Sequence, residues 1–235
     1  MIKFTVVTCT YNAESVLQRT LDSVNKQTYC NIEHLIIDGV SKDKTLAMVR
    51  AYQNRAKAGE NAHEIVVYSE PDKGLYDAMN KGLDRASGDI ICFLNADDHY
   101  ASQYVLSRVA DLMRKHRLDA LMGDVSFFHA NSPEISVRRY RSDRFSPERL
   151  AWGWMPAHPA LFLSRAVVER AGRFRTDYRI AGDFEFIVRV FHGGNSLPWA
   201  IGRSVRVCDD NCLLGPPQVG LLRRVLRLRR LKSEV

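Results

Sequence analysis

Short apolar runs rich in Val and Ile recur through the first hundred residues, at FTVVT (4–8), HLIID (34–38), EIVVYS (64–69) and DIICFL (89–94). They are nearly unbroken rather than alternating, the pattern of strands covered on both faces. Between them the apolar positions take helical spacing: Leu17, Leu21 and Val24 in 13–27, Leu46, Val49 and Ala56 in 43–58, and Leu75, Met79, Leu83 and Ala86 in 75–86. Gly59, Gly74 and Gly88 mark the joins. This alternation predicts an α/β fold with parallel strands and right-handed crossovers. Beyond residue 100 the pattern loosens. It predicts a helix over 102–115, a strand near 119–128, and helices over 164–171 and 183–192. Two basic strand-like stretches, one of them ISVRRYR (135–141), suit an antiparallel ribbon. The expectation is one domain over 1–207, a Rossmann-like, mostly parallel sheet with helices on both faces and a less regular second half. Residues 208–235 then form a C-terminal extension.

The chain has 235 residues, 46% hydrophobic and 26% charged, a globular composition that excludes wholesale disorder. No apolar run approaches the roughly 20 residues of a membrane span. MIKFTVVTCTYN enters a strand pattern without a signal-peptide pattern. Cys9, Cys30, Cys92, Cys208 and Cys212 are odd in number, which suits reduced thiols and a cytoplasmic protein. Cys208 and Cys212 form one pair without the second half of a zinc site. Of the net charge of +7, the segment 221–235, with five Arg, one Lys and one Glu, carries most. On a helical projection, Leu221, Leu222, Val225, Leu226 and Leu228 oppose Arg223, Arg224, Arg227 and Arg230. Such a helix is expected to lie on an anionic membrane surface, making the protein peripheral at the inner face of the membrane.

Polar clusters fall repeatedly at the carboxyl ends of the predicted strands, where open parallel sheets bind ligands. They are Thr8-Cys9-Thr10-Tyr11-Asn12, Asp38-Gly39, Glu70-Pro71-Asp72 and Asn95-Ala96-Asp97-Asp98. Three are acidic. Carboxylates gathered on one edge repel unless a cation shares the site, and a divalent metal carrying phosphates resolves that. Neither G-x-G-x-x-G after the first strand nor G-x-x-x-x-G-K-[ST] is present, which disfavours dinucleotide oxidoreductases and P-loop NTPases. A nucleotide held by carboxylates and a metal remains.

TVVTCTYNAESVLQRTLDSVNKQTY, IIDGVSKDKT, SEPDKGLYDAMNKGLDRASGDIICFLNADD, and PAHPALF followed by GRFRTDYRIAGDFEFIVRV stand in this order. Together they resemble the family 2 inverting glycosyltransferases of the GT-A fold, of the bacterial surface-polysaccharide type. The resemblance implies sugar transfer from a nucleoside diphosphate sugar, UDP or dTDP favoured, to a saccharide or lipid-linked saccharide acceptor. It implies Mn2+ or Mg2+ as cofactor, with Asp97 as metal ligand and His158 as a candidate ligand. The implied nucleotide and donor residues are Thr8, Thr10, Tyr11, Asn12, Asp38, Glu70, Asp72, Asn80, Asn95, Ala96 and Asp97. Asp183 is implied as the catalytic base, with Glu185 the less favoured neighbour. Asn95 stands where the metal motif usually begins with Asp, and Val40 and Lys42 where small or hydroxyl residues are usual. Two other readings compete. A nucleotidyltransferase would need a glycine-rich, basic loop after strand one, which TCTYNAES is not. A non-catalytic polyanion-binding module would need a basic face, whereas residues 1–220 carry a net charge of only +2, so no nucleic acid is expected.

Overall fold

The computed structural model describes residues 1–58, 63–129, 132–192 and 197–209. β1 (Phe4–Thr10), α1 (Leu17–Asn25), β2 (Ile32–Asp38), α2 (Thr45–Ala58), β3 (Glu64–Ser69), α3 (Leu75–Arg85) and β4 (Ile90–Phe93) alternate as the sequence pattern predicts. β1, β2 and β4 are buried along their whole length because helices cover both faces of the sheet. β3 lies at the edge and is only partly covered. The four strands run parallel in the order β3-β2-β1-β4. Their register sets Thr10 beside Asp38 and Asp38 beside Ser69, so three polar strand ends share one edge.

The second half consists of β5 (Asp98–Tyr100), α4 (Val105–His116), β6 (Ala120–His129), β7 (Ser132–Tyr140), β8 (Leu161–Ser164), α5 (Arg165–Ala171), α6 (Gly182–His192) and β9 (Trp199–Asp209). β8 inserts antiparallel between β4 and β6, while β9 runs parallel to β6 and carries β5 on its far side. β7, which holds the ISVRRYR stretch, pairs antiparallel with β6, the strand predicted near 119–128, rather than with a second basic stretch. Side chains alternate across the sheet with the two-residue period of strands. Leu35 and Ile37 join Val7, Met79, Phe93, Phe186 and Ile187 under α3, α5 and α6. Ile32 joins Phe4, Val6, Leu106 and Phe162 under α4, and Ile36 joins Leu17, Leu21 and Tyr52 under α1 and α2. Each fully buried Leu, Ile or Phe stabilises the fold by roughly 1.5–3 kcal/mol.

One polar chain crosses this core. The Thr8 hydroxyl donates to the Leu94 carbonyl at 2.8 Å, so it accepts from His34 Nε2 at 2.9 Å. His34 Nδ1 then accepts from the Tyr52 hydroxyl at 2.8 Å, and that hydroxyl accepts from His63 Nε2 at 2.7 Å. Burial, with His63 nearby, pushes the His34 imidazole down to about 3. His34 is therefore neutral in the folded protein at physiological pH. Cys212 and the basic segment 221–235 lie outside the described residues.

Candidate functional site

A cleft of about 370 Å³ opens at the carboxyl ends of β1 and β4 and brings together Tyr11, Asn12, Leu75, Asn95, Ala96 and Asp97, with Cys9, Ala13 and Val16. One wall consists of two loops laced to each other. The amide of Asn12 donates to Ser41 Oγ at 2.9 Å and its side-chain oxygen accepts from the Lys42 amide at 2.9 Å. The Glu14 amide donates to Asp43 at 3.0 Å, its carboxylate accepts from the Lys44 amide at 2.8 Å, and the Ala13 amide donates to Thr45 at 2.8 Å. Asn12 adopts φ 47° and ties the β1–α1 loop to the β2–α2 loop, and α1 begins at Leu17.

Behind that wall Asp38 is fully buried. Its Oδ1 accepts from Thr10 Oγ1 at 3.1 Å and Ser41 Oγ at 2.5 Å, and its Oδ2 from the Ser41 amide at 3.0 Å and Ser69 Oγ at 2.7 Å. Its carboxylate thus accepts four bonds, three from hydroxyls and one from an amide. Thr10 is likewise buried against it. Thr8 sits deeper, bonded to Leu94 and His34, and does not line the cleft. Asp72 is half-buried beside Gly39. One oxygen accepts from the Gly74 amide at 2.9 Å, and the other packs so closely on Gly39 that a Cβ there would stand 2.5 Å from it. Its charge adds to burial in pushing the Cys9 thiol up. Glu70, expected to position the donor, turns to α3 instead and pairs with Arg85 at 2.9 Å and Lys81 at 3.7 Å.

The acceptor-side block meets α3. Asp183 lies in the first turn of α6, where the helix dipole favours a negative charge. Its Oδ1 accepts from the Tyr76 hydroxyl at 3.3 Å, and the same hydroxyl accepts from the Gly182 amide at 2.9 Å. Asn80, expected at the donor sugar, is 6% exposed and holds Phe174 instead, donating to its carbonyl at 2.9 Å and accepting from its amide at 2.8 Å. Glu185 is buried and accepts three bonds from Arg189, at 2.8–3.0 Å, so it is a structural anchor of α6. The sequence reading missed Tyr76. The available signal was its position four residues before Asn80, on the same face of one helix.

His158 is buried, its ring stacked on Phe93 at 5.2 Å and edge-on to Phe174 at 5.8 Å. Burial holds its imidazole below the usual histidine range, with Asp183 as the opposing charge. Among the described residues, no group of three or more His, Cys, Asp or Glu could enclose a metal ion. Asp97 is the carboxylate lining the cleft, with the Asn95 amide beside it. That donor set fits a hard cation that takes most of its ligands from phosphate oxygens and water.

Glycosyl transferase family 2 matches residues 5–169 of the chain. A PGL/p-HBAD biosynthesis glycosyltransferase of Mycobacterium bovis is 31% identical over 190 residues, covering 80% of this chain and 69% of that protein. An uncharacterized glycosyltransferase of Mycobacterium tuberculosis is 32% identical over 200 residues, covering 78% and 67%. The fold is similar to that of S. aureus TarS 1-349 in complex with UDP-GlcNAc, with TM-score 0.72, 17% identity and coverage of 97% of this chain and 66% of that one. It is also similar to the mannosyltransferase PcManGT from Pyrobaculum calidifontis in complex with GDP-Man and Mn2+, with TM-score 0.65, 20% identity and coverage of 91% and 58%. The chain thus spans 69% or less of the length of each of these proteins. With its cleft at the carboxyl edge of the sheet and the family's match running through β1 to α5, the chain belongs to glycosyl transferase family 2 and is a glycosyltransferase of the GT-A fold.

Proposed function

We propose that this glycosyltransferase moves a sugar from a nucleoside diphosphate donor, UDP or dTDP favoured, to a hydroxyl of a saccharide or lipid-linked saccharide acceptor, inverting the anomeric carbon. Surface polysaccharide assembly, at the inner face of the membrane and held there by the segment 221–232, is the setting this reading favours. Its main support is Asp183, held by Tyr76 next to the cleft-lining Leu75. Tyr11, Asn12, Asn95 and Ala96 form the nucleotide's side of the cleft. Asp38 shapes that wall through Ser41 and belongs to the same nucleotide side. Asp183 takes the proton of the acceptor hydroxyl as its oxygen bonds to the anomeric carbon and the bond to the diphosphate breaks. Burial holds the His158 imidazole below the usual histidine range, against the pull of the Asp183 carboxylate. Mn2+ or Mg2+ held by Asp97 and Asn95 would neutralise charge on the departing diphosphate.

Release of nucleoside diphosphate from a panel of UDP- and dTDP-sugars, with and without Mn2+, tests this. Asp183→Asn is expected to lower transfer by roughly 10²–10⁴-fold, the range of a general base, with donor affinity nearly unchanged. Asp97→Ala is expected to abolish metal-dependent donor binding while the protein still melts cooperatively. Normal transfer by Asp183→Asn overturns the base, and full activity in excess EDTA overturns the metal.

A further inference from the structure

We propose that Tyr76 is a positioning residue for Asp183, fixing through one hydroxyl both the carboxylate and the turn that carries it; this rests on reading Asp183 as the base. The direction of each bond is forced. The Gly182 amide can only donate, so the Tyr76 oxygen accepts there at 2.9 Å, and its single proton goes to Asp183 Oδ1 at 3.3 Å. That distance is long for O–H···O, as catalytic bonds often are before substrate arrives. That bond fixes the plane of the carboxylate, and the acceptor's proton can go to Oδ2 or to the lone pair that Oδ1 retains. The turn needs holding. Ala181 carries φ 67°, a left-handed conformation unfavourable for any residue with a Cβ. At position 182 a Cβ would come within 2.7–2.9 Å of the Tyr76 ring, so ring and glycine are a matched pair.

The ring is fixed without its hydroxyl. It stacks on Phe174 at 6.0 Å, and Phe174 stacks on Phe186 of α6 at 4.2 Å. One turn along α3, Asn80 grips the Phe174 backbone. Tyr76→Phe therefore keeps the packing and removes only the hydrogen bonds. Burial, reinforced by the Asp183 charge, pushes the phenol up to about 12, so it remains a donor throughout the neutral range.

The test is a cycle of wild type, Tyr76→Phe, Asp183→Asn and the double variant. It is read as UDP release from UDP-glucose and UDP-N-acetylglucosamine with Mn2+, and as urea unfolding midpoints. Tyr76→Phe is expected to lower kcat about tenfold, the worth of one hydrogen bond to a charged group, with donor KM within about twofold. In the Asp183→Asn background it is expected to change kcat no further, and the two shifts in midpoint are expected to be less than additive. Unchanged kcat in Tyr76→Phe, an equal fall in both backgrounds, or strictly additive midpoints would overturn the proposal. If Asp183→Asn turns over normally, the base assignment itself falls. If Asp183→Asn is impaired and Tyr76→Phe is not, only the role of Tyr76 falls.

Discussion

Three residues other than glycine hold left-handed backbone beside the site: Asn12 at φ 47°, Val40 at φ 63° and Ala181 at φ 67°. Asn tolerates this region; a β-branched Val does not, and the inter-loop bonds around Ser41 and Lys42 hold it in place. Val40→Gly is expected to raise stability by about 1 kcal/mol, the strain released less the added chain entropy, measured by urea unfolding. A loss of about 0.5–1 kcal/mol, the full entropic cost of glycine, would mean that Val40 is not strained. Asp38→Asn is expected to cost about 2–3 kcal/mol, because an amide cannot accept all four bonds that the buried carboxylate now receives. At this scale the sequence exposes residue types at strand ends but not their partners. Asp38 reads as a ligand contact because Ser41 and Ser69 look like ordinary loop residues. Asn80 reads as a donor contact, and its partner Phe174, 94 residues away, gives no local signal.

At the scale of elements, β1 to β4 and α1 to α4 are legible because each has its own apolar rhythm. β8 is not, since LFLS follows the PAHPA turn directly and owes its burial to β4 and β6 on either side. β5 is three residues, Asp-His-Tyr, paired only because β9 arrives from the far end of the chain. The contact between α3 and the segment leading into α6 is likewise long-range. Asn80→Ala is expected to destabilise the protein by about 2–4 kcal/mol, since it strands the Phe174 amide and carbonyl in a buried setting. It is also expected to lower transfer more than donor binding, because the loosened segment carries Asp183. Thermal melts and donor titrations check the two effects, and a melt within 1 °C of wild type would deny the clasp its role.

For the whole molecule, acid sensitivity follows from the buried imidazoles. His34 is pushed down to about 3 in the folded state, so below about pH 6.5 the unfolded chain binds the extra proton. Stability is full above that pH and falls as pH drops toward 3, by about 1.4 kcal/mol per unit for one such group. His158 acts in the same direction. Melts between pH 7.5 and 5, above most carboxylate titration, are expected to show this slope. In His34→Gln it should be shallower, although that protein starts less stable. Parallel slopes in the two proteins would remove His34 as the cause.

Leu75 borders the cleft and Tyr76, the next residue, holds Asp183. On the proposed reading, donor occupancy and base geometry meet in one turn of one helix. If a bound donor draws that turn inward, the carboxylate moves with it, and by thermodynamic reciprocity a bound acceptor strengthens donor binding by the same factor. Such linkage gives ordered addition a mechanical origin.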